Sequence, residues 1–364
     1  MPRMQQSNLV QKKHRKKGKI DIIQFGERLI MLYKDAIYTD TDLSAIKILE
    51  GFLPDKIFDA HTHLFDSKHL PNIFADCREQ VIGDVTAYKN AMYPMLCSPK
   101  TLRLNIIPFP DKAMADKSSG SISLCDEFIA SQLNAFPDNV GEIMVRPNES
   151  AEEIEKRLTH SGIRGLKCYH TLADAAVTWN LAPQAYLPES AWEVASKHKM
   201  YITLHMVKDK ALSDPENSDY ICRMATKYPD VVLILAHAAR SFAAWTAIES
   251  ISKVSCLPNV WFDFSGICES PAMIKIIQKV GVDRCMWGSD YPICTEHGKA
   301  ISVSDTFYWI YEKNFKNAAG PDHFRLIGIE NLMAVREACI LASLPPSEVE
   351  KLFYGTAASL FDKK

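Results

Sequence analysis

Residues 57–66 read Ile57-Phe58-Asp59-Ala60-His61-Thr62-His63-Leu64-Phe65-Asp66, and they settle the architecture. An apolar, β-rich run ends in two histidines one residue apart. In an open, doubly wound sheet the first strand normally passes into a glycine-rich turn. No glycine occurs between His61 and Asp66, which speaks against the open sheet and for a closed barrel.

Seven further runs of the same kind follow, at 103–109, 142–146, 164–169, 201–207, 231–238, 260–265 and 284–290. Their starts are about 22 to 46 residues apart, enough for a helix and two loops each. Residues 125–135, 151–159 and 190–197 place apolar side chains at three- and four-residue spacing, as helices do. Ser150 with Glu153 reads as a capping box. Eight βα units predict a (β/α)8 TIM barrel, an α/β fold, over residues 56–364. Residues 20–55 form an N-terminal extension whose Ile20, Ile22, Ile23, Leu29, Ile30 and Leu32 are expected to pack on the barrel. Two loops are long, 64–102 and 170–188, and Trp179 and Tyr186 in the second either pack the loop down, the commoner role of aromatic residues in long loops, or roof a binding site.

The chain of 364 residues, 47% hydrophobic and 24% charged, can bury a full core, which excludes disorder and fibrous repeats. Its longest apolar run, 231–239, is interrupted by His237 and falls far short of the roughly 20 residues needed to cross a bilayer. No membrane association is expected. Without an apolar leader at its start, the chain is expected in the cytoplasm. Ten cysteines include no CxxC pair, so they read as free thiols, mostly buried filler. Residues 1–19 hold seven Lys and Arg and no acid; the remaining chain has 35 basic against 44 acidic residues. So acidic a body is a poor nucleic-acid surface, and the basic run reads as a mobile tail.

Reacting groups of a barrel lie where its strands end. On one strand His61 and His63 share a face, so two imidazoles can grip one ion. That pair alone is weak, since eleven histidines in 364 residues give roughly 0.3 such pairs by chance. Weight comes from three other strands, which end in His205, His237 and Asp290. Metal-binding residue types at four strand ends point to a metal site.

Lys167 ends the fourth strand and has three readings: carbamylated and bridging two ions, holding a substrate carboxylate as an ammonium, or pairing with an acid. Arg240, three residues after His237, could grip a carboxylate by two parallel hydrogen bonds or neutralise the helix that follows. With Tyr169 and Trp179 these complete the candidate substrate-binding residues. Asp263 shares parity with Ser265, so both can face the barrel mouth, with structural hydrogen bonding as the favoured role. His170 and Asp66 are loop residues with a weaker case for touching substrate. Other chemistries fail on residue type. An HxHxD site would need an acid where Phe65 stands, and HExxH, GxSxG and phosphate-cradling glycine loops are absent.

Several segments together resemble the amidohydrolase superfamily, and within it the amidohydrolase-related branch that also holds decarboxylases of the aminocarboxymuconate-semialdehyde type. They are FDAHTHLF around His61 and His63, GIRGLKCY around Lys167, ITLH ending at His205, LILAHAAR around His237, MWGSDYP around Asp290, and LFYGTAASLF at 352–361. The last resembles the branch's closing helix, although Thr356 stands where asparagine is usual. The resemblance implies one divalent ion, usually Zn2+, held by His61, His63, His205 and Asp290, with His237 acting on water or substrate. In two-ion relatives a carbamylated lysine joins, and His205 and His237 hold the second ion; Lys167 sits on that strand.

The expected function is a hydrolase in which a metal-activated water attacks a carbonyl of a small, anionic amide, lactone or related substrate. Asp290 is the expected proton acceptor and His237 the expected hydrogen-bond donor to the oxyanion. A metal-dependent decarboxylase using the same ligands is the alternative, and a non-catalytic barrel scaffold that recruits a partner through the basic tail is a third reading. Expected partners are a small-molecule substrate and a second copy in a homodimer.

Overall fold

The computed structural model describes residues 38–315 and 323–363. The basic tail and residues 20–37 of the extension lie outside the described residues. Eight strands pair side by side in chain order, all parallel: β1 (Lys56–Asp66), β3 (Thr101–Pro108), β4 (Val140–Met144), β5 (Ile163–Cys168), β6 (Tyr201–Leu204), β7 (Val232–Leu235), β8 (Val260–Asp263) and β9 (Cys285–Met286). A two-residue strand, β2 (Ile82–Gly83), adds antiparallel to the end of β1. The chain just beyond β9 returns to β1. Ala60 N–H donates to Trp287 O at 3.0 Å, Asp290 N–H to His61 O at 2.9 Å and His63 N–H to Tyr291 O at 2.9 Å. Order, direction and these return bonds are consistent with a TIM barrel.

Each expected strand is present within a few residues of its reading. Helices α1 (Asp40–Leu49), α2 (Val85–Met92), α3 (Ser121–Ala135), α4 (Ala151–Arg157), α5 (Glu189–His198), α6 (Pro215–Lys227), α7 (Trp245–Val254), α8 (Pro271–Val280) and α9 (Ile327–Leu341) surround the sheet. Helix α3 buries Ile122, Cys125, Ile129 and Leu133, the spacing of one helical face. Helix α4 begins at the capping box of Ser150 and Glu153. The segment 64–102, read from sequence as one long loop, contains β2 and α2. All ten cysteines are free, six of them buried. Helix α1, the described part of the extension, packs Ala45, Ile46 and Leu49 into the main core, and Tyr38 donates to Ala91 O at 2.6 Å. Among the described residues no helix is long and apolar enough to cross a membrane.

Side-chain parity on β6 shows how the interior is made. Ile202 and Leu204 join the outer core with Trp192, whereas Tyr201 and Thr203 point inward, donating to Asn105 Oδ1 (2.7 Å) and Glu142 Oε1 (2.8 Å). Two residues further on the same parity lies His205. The opposite end is plugged by Phe361 of the closing helix α10 (Thr356–Phe361), with ring centroids 5.1 Å from Phe58 and 4.8 Å from Tyr201. Thr356, the departure from the usual asparagine, is buried and donates to Val282 O at 2.9 Å. After β9 comes a hairpin with no counterpart in the sequence reading, β10 (Gly298–Val303) paired antiparallel with β11 (Thr306–Tyr311).

Candidate metal centre

Three imidazoles have their Nδ1 atoms committed to oxygen acceptors. His61 Nδ1–H donates to Asp263 Oδ2 at 3.0 Å, His63 Nδ1–H to Pro108 O at 3.2 Å and His237 Nδ1–H to Ser265 O at 3.0 Å. Carbonyls and carboxylates only accept, so each ring carries its proton on Nδ1 and presents a bare Nε2 lone pair. His61 Nε2 and His63 Nε2 then face each other at 3.2 Å with no proton to share. Asp290 Oδ1 lies 3.8 Å from the first and 3.6 Å from the second. Donor atoms around a tetrahedral ion bonded at 2.0–2.1 Å are roughly 3.3–3.4 Å apart. The donor set therefore fits a divalent cation.

His61, His237 and Asp290 also offer donor atoms that all lie within 4.8 Å of one another. His205 joins one step further round, its Nδ1 3.1 Å from His237 Nε2. Lys167 Nζ is 3.4 Å from His61 Nε2. Thus the structure brings together the residues on which the metal expectation rested. His237 differs from its expected role: with Nδ1–H on Ser265 O, its inward nitrogen accepts rather than donates, so it is not an oxyanion donor in this tautomer.

Asp263, at the end of β8, organises the cluster. Beside His61 it accepts from His237 N–H and Ser265 N–H, each at 3.1 Å, and from the Ser265 hydroxyl. The backbone it holds is strained. His237, Ala238, Ala239 and Arg240 all have left-handed φ values of 56, 50, 59 and 59° without a glycine among them. A left-handed residue costs about 1–2 kcal/mol, so the turn stores on the order of 4–8 kcal/mol. Asp290 is left-handed too, at φ 58°. Gly288 lets the chain after β9 approach β1, since a Cβ there would lie 2.8 Å from His61 Cβ and 3.0 Å from its backbone nitrogen.

Burial dominates the electrostatics. It drives His61, His63 and His205 well below the ordinary histidine range, and neighbouring cations add to the effect. His237 is pushed down to about 3 by burial, then by His61. Asp290 is raised well above the usual carboxylate range by burial, against the pull of Lys167. Lys167 is lowered by burial, with Glu142, Asp263 and Asp290 opposing. Glu142, buried beneath, is raised to about 7 by burial, against Lys167. Neutral imidazoles around a buried carboxylate are the state that a cation stabilises.

The other candidates spread around the opening. The Tyr169 ring is 4.7 Å from His205, and both Asp290 and Arg240 act on its hydroxyl. Trp179 is 60% exposed, its ring 4.4 Å from His170, which in turn is 6.2 Å from His205. It stands one ring away from the cluster. Tyr186 is fully buried and donates to His205 O at 2.9 Å, so it supports β6 rather than roofing the site. Asp66 is held at the surface by Lys68 N–H and Gln80. Asp263 and Ser265 turn the same way, toward the cluster, where they hydrogen-bond with each other, with His61 and with His237.

The sequence reading missed the β10–β11 hairpin and Phe242. Phe242 lies 5.5 Å from His237 and stacks on Phe307 of β11 at 4.7 Å. A signal was present: two alternating runs separated only by Ser304-Asp305 form a hairpin pattern.

Among curated proteins none matches the sequence. Solved structures do. The 5-carboxyvanillate decarboxylase LigW of Sphingomonas paucimobilis is 15% identical, with 85% of this chain and 99% of that chain covered at a TM-score of 0.54. A putative 2-pyrone-4,6-dicarboxylic acid hydrolase of Pseudomonas putida is 16% identical, with coverage of 85% and 98% and a TM-score of 0.52. A dihydroxybenzoic acid decarboxylase of Polaromonas sp. JS666, with bound manganese and 2-nitroresorcinol, is 14% identical, with coverage of 84% and 97% and a TM-score of 0.53. At such identities the likeness is one of fold. The amidohydrolase family model, however, matches residues 58–363, from within β1 to beyond the closing helix, and the chain belongs to that family.

Proposed function

We propose that the protein is a metal-dependent hydrolase of a small anionic carbonyl compound, an amide, lactone or related ester. The observation that carries this reading is the pair of unprotonated Nε2 atoms of His61 and His63, 3.2 Å apart and within 3.8 Å of the buried Asp290 carboxylate. In the proposed site His61, His63 and Asp290 hold one divalent ion, with His205 as the further donor. Zinc suits this nitrogen and oxygen donor set. Such an ion lowers the pKa of water from about 15.7 toward 7 and polarises a carbonyl. Asp290, whose proton affinity is raised by burial, accepts a proton from water and returns it to the leaving group. His237 acts through Nε2 as a hydrogen-bond acceptor that orients the attacking water, a revision of the donor role read from sequence. Lys167, fully buried and drawn toward its charged form by Glu142, Asp263 and Asp290, balances their charge as an ammonium beside the cluster. One ion per chain follows.

Decarboxylation is the second reading, favoured by the decarboxylases among the structural neighbours. The two separate in 18O water with metal-loaded protein and a panel of lactones, amides and aromatic carboxylates. Hydrolysis puts 18O into the organic product, whereas decarboxylation releases bicarbonate and leaves that product unlabelled. Asp290→Asn should abolish turnover with the fold intact, and normal activity in that variant would remove Asp290 from the chemistry.

A further inference from the structure

Arg240 is 8% exposed, yet among the described residues none of its N–H groups meets a carboxylate or any other hydrogen-bond acceptor, and its Nε is wholly shielded. Asp209 acts on it only from beyond ion-pair distance. A buried guanidinium with unfilled donors is costly unless something completes it. Its position is also enforced. Arg240 ends the left-handed turn that begins at His237, so the same backbone strain places both side chains.

The guanidinium rests on the β10–β11 hairpin, its Cζ 5.1 Å from the Phe307 centroid. Phe307 stacks on Phe242, which faces His237. The hairpin is docked firmly, for Ser302 Oγ donates to Phe242 O at 3.1 Å and Trp245 Nε1 to Asp305 O at 3.0 Å. On the far side Tyr169 lies under the influence of both Arg240 and Asp290, and His170 Nε2 is buried without a partner. An unfilled cation thus stands at the edge of the metal centre, backed by an aromatic wall that the hairpin supplies.

We propose that Arg240 is a carboxylate-binding subsite for the substrate, and that Phe307 of the hairpin is the positioning residue that aims its guanidinium. Two parallel N–H groups of arginine match the two oxygens of a carboxylate. The ring of Phe307 occupies one face of the guanidinium and leaves its edge free for the anion. This deepens the functional reading above by naming the group recognised, but the subsite works whichever bond is cleaved.

The test measures binding of benzoate and of its neutral counterpart benzamide to the metal-loaded protein by calorimetry. The wild type should prefer benzoate by roughly tenfold or more. Arg240→Met should erase the preference while metal content and melting temperature stay near wild type. Phe307→Ala should reduce it several-fold, Phe307→Tyr should restore it, and Tyr308→Ala, on the exposed face of the hairpin, should leave it alone. A wild type that binds benzoate no better than benzamide overturns the subsite, as does an Arg240→Met variant that keeps the preference. An unchanged preference in Phe307→Ala overturns the positioning role. If the preference is present but no hydrolysis occurs in 18O water, only the hydrolytic reading falls.

Discussion

Asp263→Asn removes a charge and leaves a shape. The wild-type carboxylate accepts from His61 Nδ1–H, two backbone N–H groups and a hydroxyl. In the variant the amide oxygen keeps the His237 and Ser265 bonds on the Oδ1 side, while its NH2 takes the place of Oδ2 opposite His61. Two donors then face each other at 3.0 Å, and the imidazole relieves the clash by moving its proton to Nε2, the atom 3.2 Å from His63 and 3.8 Å from Asp290. A ligand so protonated must release its proton before it binds a cation. Partners of this kind are worth about 10–100-fold in metal affinity, which is about 1.4–2.7 kcal/mol. The fold loses less, because the backbone donors remain satisfied. The assay is chelator competition for zinc at fixed pH, with thermal melting of the metal-free protein alongside. An affinity within twofold of wild type, with the melting temperature lowered, would refute the reasoning and leave Asp263 a purely structural residue.

Two more outcomes bear on the same region. His170 is held neutral to about pH 4 by burial and then by Arg240, against an ordinary value near 6.5. Above pH 6.5 its ring is neutral in both folded and unfolded chains. As pH falls from 6.5 to 4 the unfolded chain takes up a proton that the fold refuses, so up to roughly 3 kcal/mol of stability is lost. His170→Gln should flatten the fall of the denaturation midpoint between pH 7.5 and 4.5 relative to wild type, and parallel curves would contradict the burial argument. Gly288→Ala should cost on the order of 1–3 kcal/mol and weaken metal binding, because backbone nitrogen at 3.0 Å cannot move aside without shifting His61. Equilibrium unfolding and zinc titration read the two effects, and a variant with wild-type values in both would show that β1 has slack there.

The barrel was legible because its strands announce themselves one at a time. A strand buried on both faces is a short apolar run wherever it occurs, and the period of two that sets His61 and His63 on one face also sets Tyr201, Thr203 and His205 on one face. Strand ends could therefore be read without knowing how the strands pair. What could not be read was anything that needs two distant segments at once. Asp263 differs in sequence from no other strand-end acid, and its role appears only when the end of β8 comes within reach of His61 on β1 and of His237 after β7. The same holds for the tautomer of His237, which Ser265 O decides, and hence for its change from donor to acceptor. The hairpin is a different case: its local pattern is present in the sequence, but it falls after the eighth strand, where a barrel is already complete and calls for no further strands.

The left-handed turn at 237–240 shows why the missing parts matter more than their length suggests. Alanines at 238 and 239 are good helix formers, and nothing in LILAHAAR marks four successive residues as left-handed. Strain of that size persists only where surrounding contacts over-determine the backbone, and here they are identifiable: Asp263 Oδ1 holds His237 N–H at 3.1 Å, and Phe307 covers the Arg240 guanidinium 5.1 Å from its centroid. The first contact fixes the side facing the ion and the second the side facing the proposed carboxylate. The proposed water-orienting group of His237 and the proposed anion-binding group of Arg240 are therefore not two independent features of the opening but the two ends of one strained turn. A change that relaxes the turn should move both together, and one that acts through Phe307 alone should move only the second.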